Sequence, residues 1–173
     1  MTITVAEHIP ERRTGGSVSP TLLSTKTYSN LPCAHRQYLH HGNCALVHGY
    51  SRSYEFIFGA HTLDKCGFVV DFGELKWLKD WLEYMFDHTL LLMEEDPCMP
   101  YFQELERNGA CAIRIMPYGV GMEGSAQYVL EYADLELRRL TKGRCWVCSV
   151  EARENDKNSA IYNSPEAGFQ GWL

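Results

Sequence analysis

Residues 49–60, Gly-Tyr-Ser-Arg-Ser-Tyr-Glu-Phe-Ile-Phe-Gly-Ala, constrain this chain most. Tyr50, Arg52, Tyr54, Phe56 and Phe58 fall on one side of an extended backbone, and Ser51, Ser53, Glu55 and Ile57 on the other. That period of two is the signature of a strand with one face on a core. Such a strand needs a sheet around it and a layer to cover its aromatic face. Two segments supply the layer. Asp71 and Glu74 have the spacing of a helix-start capping box. Behind them Leu75, Leu78, Leu82 and Met85 recur at helical spacing, with Trp77, Trp81 and Tyr84 as an adjacent stripe, so a helix is expected over 72–86. The second helix is expected from Ser125, as cap, to Gly143, through Ala126, Val129, Leu130, Ala133, Leu137 and Leu140.

Residues 25–35 can be extended, with Pro32 pointing to an edge or a bulge. Residues 36–47 read as a loop, 61–67 as a turn and Phe68–Val70 as a short apolar run. Residues 112–116 and 145–152 read as strands, and within 94–110 Pro97 and Pro100 precede a short helical run to Arg107, closed by Asn108–Gly109. The order is β-β-α-(insert, β)-α-β. The fold expected from it is α+β, a mostly antiparallel sheet packed on one side by two helices. The chain divides into an N-terminal extension at 1–24, a single domain at 25–163 with an insert at about 94–118, and a tail at 164–173. A polar tail is expected from Asn155, with Ile161–Tyr162 its one apolar pair.

Composition excludes several classes. The formal charge of −6 over 173 residues lacks the basic field that nucleic acid requires. No apolar run approaches the roughly 18 residues of a membrane span, so no membrane partner is expected. The first eight residues lack a basic stretch leading into an apolar one, so no signal peptide is expected. Seven cysteines without a paired framework read as reduced thiols and a cytoplasmic setting.

Chemistry concentrates at residues 35–50, which hold His35, His40, His41 and His48, four of the seven histidines. His48 and Tyr50 project to one strand face, and with His35 they are metal candidates, imidazole being a common zinc donor. The plainer alternative is a set of solvated or hydrogen-bonded loop histidines. His40 and His41 read as solvent-facing, though either could complete a donor set. Cys44 is a nucleophile or base if a neighbour lowers its pKa, and otherwise a small buried hydrophobe. Asp87–His88 has the composition of an acid–base pair, against a turn aspartate beside a surface histidine, because sequence neighbours usually point apart. Glu151 can accept two parallel N–H bonds from a guanidine-like heterocycle edge; the alternative is a strand residue paired with Arg153.

These groups occur in order with wider motifs. Ala34–His35–Arg36, Cys44-x-x-x-His48–Gly49, Val70–Asp71–Phe72-x-Glu74–Leu75–Lys76, Phe86–Asp87–His88, Val150–Glu151 and Ala160–Ile161–Tyr162 together resemble the 6-pyruvoyl-tetrahydropterin synthase / 6-carboxytetrahydropterin synthase family. The likeness runs from about Thr27 to Tyr162. It implies the tunnelling fold, a four-stranded antiparallel sheet with two helices, assembled into homo-oligomers that are commonly hexamers, with active sites at subunit interfaces. It implies zinc on His35 and His48, Cys44 as proton-abstracting base, Asp87 and His88 as its relay, and Glu151 as the pterin anchor. The implied substrate is 7,8-dihydroneopterin triphosphate, and the bacterial members of queuosine biosynthesis make 6-carboxytetrahydropterin from it. Three features depart from the pattern. Tyr50 stands at the third zinc-ligand position, where the family has histidine. Glu123–Gly124–Ser125–Ala126–Gln127 replaces a Pro-Thr-x-Glu helix start, leaving Ser125 as the hydroxyl and a candidate substrate contact. The 94–118 insert has no counterpart in the minimal fold. Three outcomes stay open for the metal: two histidines with Tyr50 or water, recruitment of His40 or His41, or loss of the metal in a pterin- or purine-binding relative.

Overall fold

The computed structural model describes residues 21–165. The alternating segment forms β2 (His48–Ala60), and Arg52, Tyr54, Phe56, Phe58 and Ala60 are wholly buried along one of its faces. It pairs antiparallel with β1 (Leu22–His35) on one side and β5 (Cys145–Arg153) on the other. The β1 register slips between Tyr28 and Leu31, at Asn30, whose φ is 62°. That bulge directly precedes Pro32, which has no N–H to give a ladder.

Six strands make one sheet in the order β4-β3-β1-β2-β5-β6. β1, β2, β5 and β6 (Ser159–Asn163) are consecutive and antiparallel, and the first three of them are expected strands. Beyond β1 the sheet continues with two short parallel strands, β3 (Thr89–Leu92) and β4 (Ile113–Ile115). The expected four-stranded antiparallel sheet is therefore corrected to a six-stranded mixed sheet, while the expected inserted helix and strand are present as the third helix and β4. All four β3 residues are buried. A strand covered on both faces has no alternation to betray it. β6 lies where a polar tail was expected, because Tyr162 and Ala160 pack inward across from Val150 and Ala152.

A one-turn 3-10 helix, Phe72–Leu75, leads into α1 (Lys76–Phe86), and the Asp71 side chain accepts a hydrogen bond from Gly73 N at 2.8 Å. Asp71→Ala is expected to lower stability by about 0.5–2 kcal/mol, the usual worth of a cap, read from the midpoint of urea unfolding. α2 (Met99–Arg107) belongs to the insert. α3 (Met122–Thr141) starts four residues earlier than expected, capped at Gly121, so Ser125 is a buried helix-interior residue and not the cap. A Cβ on Gly124 would lie 2.4 Å from Tyr118 O, so the first turn of α3 presses on the preceding loop where only glycine fits. The helix ends as expected, with Lys142 and Gly143 both at positive φ.

α1 and α3 cover the aromatic face of the sheet. Between them Trp81 stacks on Tyr132 at 3.9 Å, which accounts for the aromatic stripe of α1. Arg36 reaches Asp96 of the insert at 3.2 Å, and Asp96 Oδ1 also accepts from Cys98 N at 2.8 Å. The insert thus ties down the chain next to His35. Among the described residues no helix is long and apolar enough to cross a membrane. Most of the expected 1–24 extension and 164–173 tail lies outside the described residues, and Leu22–Ser24 belong to β1.

Candidate metal and proton-transfer site

The β1–β2 register sets His35 directly across from His48, and Cys33 across from Tyr50. Directly opposed residues share a face, and so do residues two apart, so three rings gather at one end of the strand pair. The His35 and His48 ring centroids are 4.3 Å apart, and Tyr50 lies 6.2 Å from His35 and 5.7 Å from His48. Gly49 allows the close approach: a Cβ there would lie 2.8 Å from Cys33 O.

His35 is 6 % exposed, and its Nδ1 has no hydrogen-bond partner. Burial, then the charge of Arg52, then His48 push its pKa down to about 3, so the ring is neutral at physiological pH. His48 Nδ1 lies 2.7 Å from Leu46 O. Because a carbonyl only accepts, Nδ1 carries the proton and Nε2 keeps its lone pair, the tautomer fixing common behind metal-bound histidine. A neutral buried imidazole with an orphaned nitrogen beside one with a fixed tautomer fits a metal ion. The third donor is less simple. The nearby Glu154 carboxylate pushes the Tyr50 phenol above its usual range, which opposes a phenolate ligand. His40 Nδ1 accepts from Gly42 N at 2.8 Å, which occupies that lone pair and leaves the proton on Nε2. His41 is exposed and does not line this cavity. Among the described residues no three His, Cys, Asp or Glu side chains already converge as a metal cluster.

The low His35 pKa has a consequence for stability. In the unfolded chain this histidine takes up a proton near pH 6.5, whereas the native ring refuses it down to about pH 3. Stability from this group is present above pH 6.5 and is lost as pH falls through the window to 3. His35→Asn is expected to flatten that loss, by at most about 1.4 kcal/mol per pH unit within the window, in urea unfolding measured from pH 7 to 4.

Cys44 sits in a one-turn 3-10 helix, Asn43–Ala45, exposed rather than buried. It shares a cavity of about 390 Å³ with His35, His40, His48, Glu123 and Glu154. Asp87 and His88 do pair, Asp87 Oδ1 lying 2.6 Å from His88 Nδ1. The φ of 56° at His88 turns two sequence neighbours toward each other, and His88 N donates to Pro32 O at 2.7 Å. His88 lines a different cavity, of about 670 Å³, with Ala34, Gly49 and Ser51 from the sheet face turned away from the core and Phe102 and Leu105 from α2. Glu151 also occupies that outer face, across from Glu55, in an ion pair with Arg153. Ser125 Oγ accepts from Arg52 Nη1 at 2.7 Å inside the core.

The described residues thus bring together His35, His48 and Cys44, and separately Asp87 and His88, with the Tyr50 ring beside the two histidines but lining the His88 cavity. Glu151 and Ser125 join neither group. Two residues escaped the sequence reading. Arg52 was visible as a lone cation within an aromatic strand face. Glu154 follows the end of β5, at the hairpin to β6, where periodicity carries no information. Of the basic residues available to a phosphate, Arg36, Arg52, Arg144 and Arg153 are already engaged by protein groups.

Among solved structures this architecture is shared with an uncharacterised protein from Wolinella succinogenes, at 20% identity and a TM-score of 0.68, covering 84% of this chain and 99% of that one. It is also shared with the 6-pyruvoyl tetrahydropterin synthase of Plasmodium falciparum, at 18% identity and a TM-score of 0.62, covering 83% and 98%. These place the chain among α+β proteins with the tunnelling fold. Residues 24–165 match the family described as 6-pyruvoyl tetrahydropterin synthase, and the chain belongs to that family. Curated relatives include the 6-carboxy-5,6,7,8-tetrahydropterin synthases of Rickettsia conorii and Rickettsia typhi, each 40% identical over 63 residues, 36% of this chain and 46% of the relative. The chain spans about half the length of the curated relatives it matches.

Proposed function

We propose that this chain is a metal-assisted pterin lyase of the 6-carboxytetrahydropterin synthase type, acting on 7,8-dihydroneopterin triphosphate or a close pterin. The observation that carries the reading is the His35–His48 pair, two imidazoles 4.3 Å apart, one of them buried, in a cavity that Cys44 also lines. His35 and His48 would hold the ion. A bound zinc supplies Lewis acidity at the substrate side-chain oxygens, which acidifies the adjacent carbon. Cys44, exposed to the same cavity, takes the proton from that carbon as general base. The Asp87–His88 pair is built to pass a proton, the carboxylate orienting the imidazole through Nδ1 and leaving Nε2 free to act. Glu151 would anchor the pterin by a bidentate carboxylate contact once released from Arg153. Cys44 lines one cavity, whereas His88 and Glu151 lie on the outer side of the sheet. A complete site on this reading joins surfaces of neighbouring copies in a homo-oligomer.

Tyr50 favours a second reading, a pterin-binding relative with altered or absent chemistry, since the phenol is held protonated. Incubation of the purified protein and zinc with 7,8-dihydroneopterin triphosphate, followed by mass analysis, separates the two. 6-Carboxytetrahydropterin or another cleaved pterin is expected. Unaltered substrate bound to the protein would sink the lyase and leave the binder. Glu151→Gln is expected to weaken pterin binding by about 1.5–3 kcal/mol, the worth of hydrogen bonds to a charged group, in a calorimetric titration.

A further inference from the structure

The helix of the 94–118 insert carries an apolar side that it does not bury. Phe102 and Leu105 stand three apart on α2, so both project from one side of it. A helix with an apolar side ordinarily packs that side on a core. Yet no residue of α2 is buried, and Leu105 is 46 % exposed. The helix is nevertheless fixed in place. Before it stands the Arg36–Asp96 ion pair. After it Ile113 N donates to Glu106 Oε1 at 2.7 Å, Leu90 N donates to Ala112 O at 2.8 Å, and Arg114 Nε donates to Tyr84 O at 2.8 Å. A helix tied at both ends with its apolar side uncovered is a wall for something to lie against.

The rest of the cavity narrows what that is. Phe102 and Leu105 line the same space as His88, and its volume of about 670 Å³ is that of a small-ligand cleft. Its floor is two cross-strand pairs of β1 and β2, Pro32 with Ser51 and Ala34 with Gly49. All four side chains are small, so the floor is flat. Among the described residues no Lys, Arg, Asp or Glu lines the cleft. Its polar groups are few: the hydroxyls of Tyr50 and Ser51, Thr89 already donating to Met85 O at 2.7 Å, and the His88 imidazole, whose Nδ1 is taken by Asp87. A flat floor and an aromatic wall without fixed charge suit a planar, uncharged ring. A neighbouring polypeptide would bring backbone N–H and C=O groups that find few partners there.

We propose that α2 is a substrate-contacting wall, with Phe102 and Leu105 as specificity-determining residues that hold a flat, uncharged heteroaromatic ring over the Ala34–Gly49 floor beside His88. The inference rests on the pterin reading of the proposed function, since a pterin is a ring of that class, and it gives the insert a role in that reading. Glu151 does not line this cleft, so in the assembled site it meets the ring from another copy.

The probe is 7,8-dihydroneopterin, which carries the ring without phosphates, titrated into the full chain by calorimetry. Wild type is expected to take one ring per chain. Phe102→Ala is expected to weaken the ring about 10-fold or more, and Leu105→Ala by less, as the aromatic face supplies the larger contact. Phe102→Tyr, which keeps that face, is expected to stay within about threefold of wild type. Because neither residue is buried, both alanine variants are expected to unfold at the wild-type urea midpoint. Wild-type affinity in Phe102→Ala would overturn the wall while the pterin reading stands. So would a Phe102→Ala chain that elutes as a smaller species and regains wild-type affinity once concentration restores the assembly, because the face would then belong to a second copy. A wild-type chain that takes up no pterin would overturn both.

Discussion

Cys44→Ala is expected to slow product formation by about 10²–10⁴-fold, the usual contribution of a positioned acid or base. Fold and metal content should stay as in the wild type. The reasoning begins with placement. Cys44 is exposed, in a short turn between β1 and β2, and no core contact depends on it. Gln37 N donates to the Cys44 backbone oxygen at 2.8 Å, and a backbone bond survives the change to alanine. A loss of activity therefore reports on the thiol. Single-turnover measurements at saturating pterin separate chemistry from binding, and the effect is expected in the rate rather than in the half-saturation. Equal turnover by the variant would remove Cys44 from the proposed mechanism.

Phe56→Ala is expected to destabilise the fold by about 3–5 kcal/mol, the range for a large aromatic removed from a core. Phe56 is wholly buried at the middle of β2. It meets Tyr28 edge-on at 5.7 Å and stacks beside Phe58, also at 5.7 Å. Strand neighbours on both sides prevent the backbone from collapsing into the space. The loss should appear in denaturant unfolding as a lower midpoint at unchanged slope. It should also reach the site, because the β1–β2 pairing that Phe56 supports sets the His35–His48 register. A cost below 1 kcal/mol would mean the sheet face repacks, and that β2 is not the pivot of the core.

What was legible in advance follows from how local each cause is. Alternation over 49–60 identified β2 because every second residue must enter the core. The apolar stripes of α1 and α3 were legible for the same reason, as was the stop of α3 at Gly143. β3 was hidden because burial on both faces removes the pattern. β6 was hidden because five residues at a sheet edge need few apolar side chains. The helix start at Ser125 was misplaced because Arg52, 73 residues away, draws that hydroxyl into the core. The residue types of a pterin site were visible in order along the chain, and they carry the family relationship that the match over residues 24–165 establishes.

The sequence alone determined the strand and helix faces, the family, and the identity of the groups able to do chemistry, because side-chain period and residue type are local properties. Only the tertiary structure decided which of them meet. The register of β1 against β2 joins His35 to His48 across a loop. The left-handed turn at His88 joins it to Asp87 but aims the pair at another cavity. Strand parity sends Glu151 to the outer face. Burial beside Arg52 keeps His35 neutral, and a hairpin brings Glu154 to the cavity of His35 and His48. Each depends on atoms brought close by packing from distant parts of the chain, and no spacing along the sequence encodes that distance.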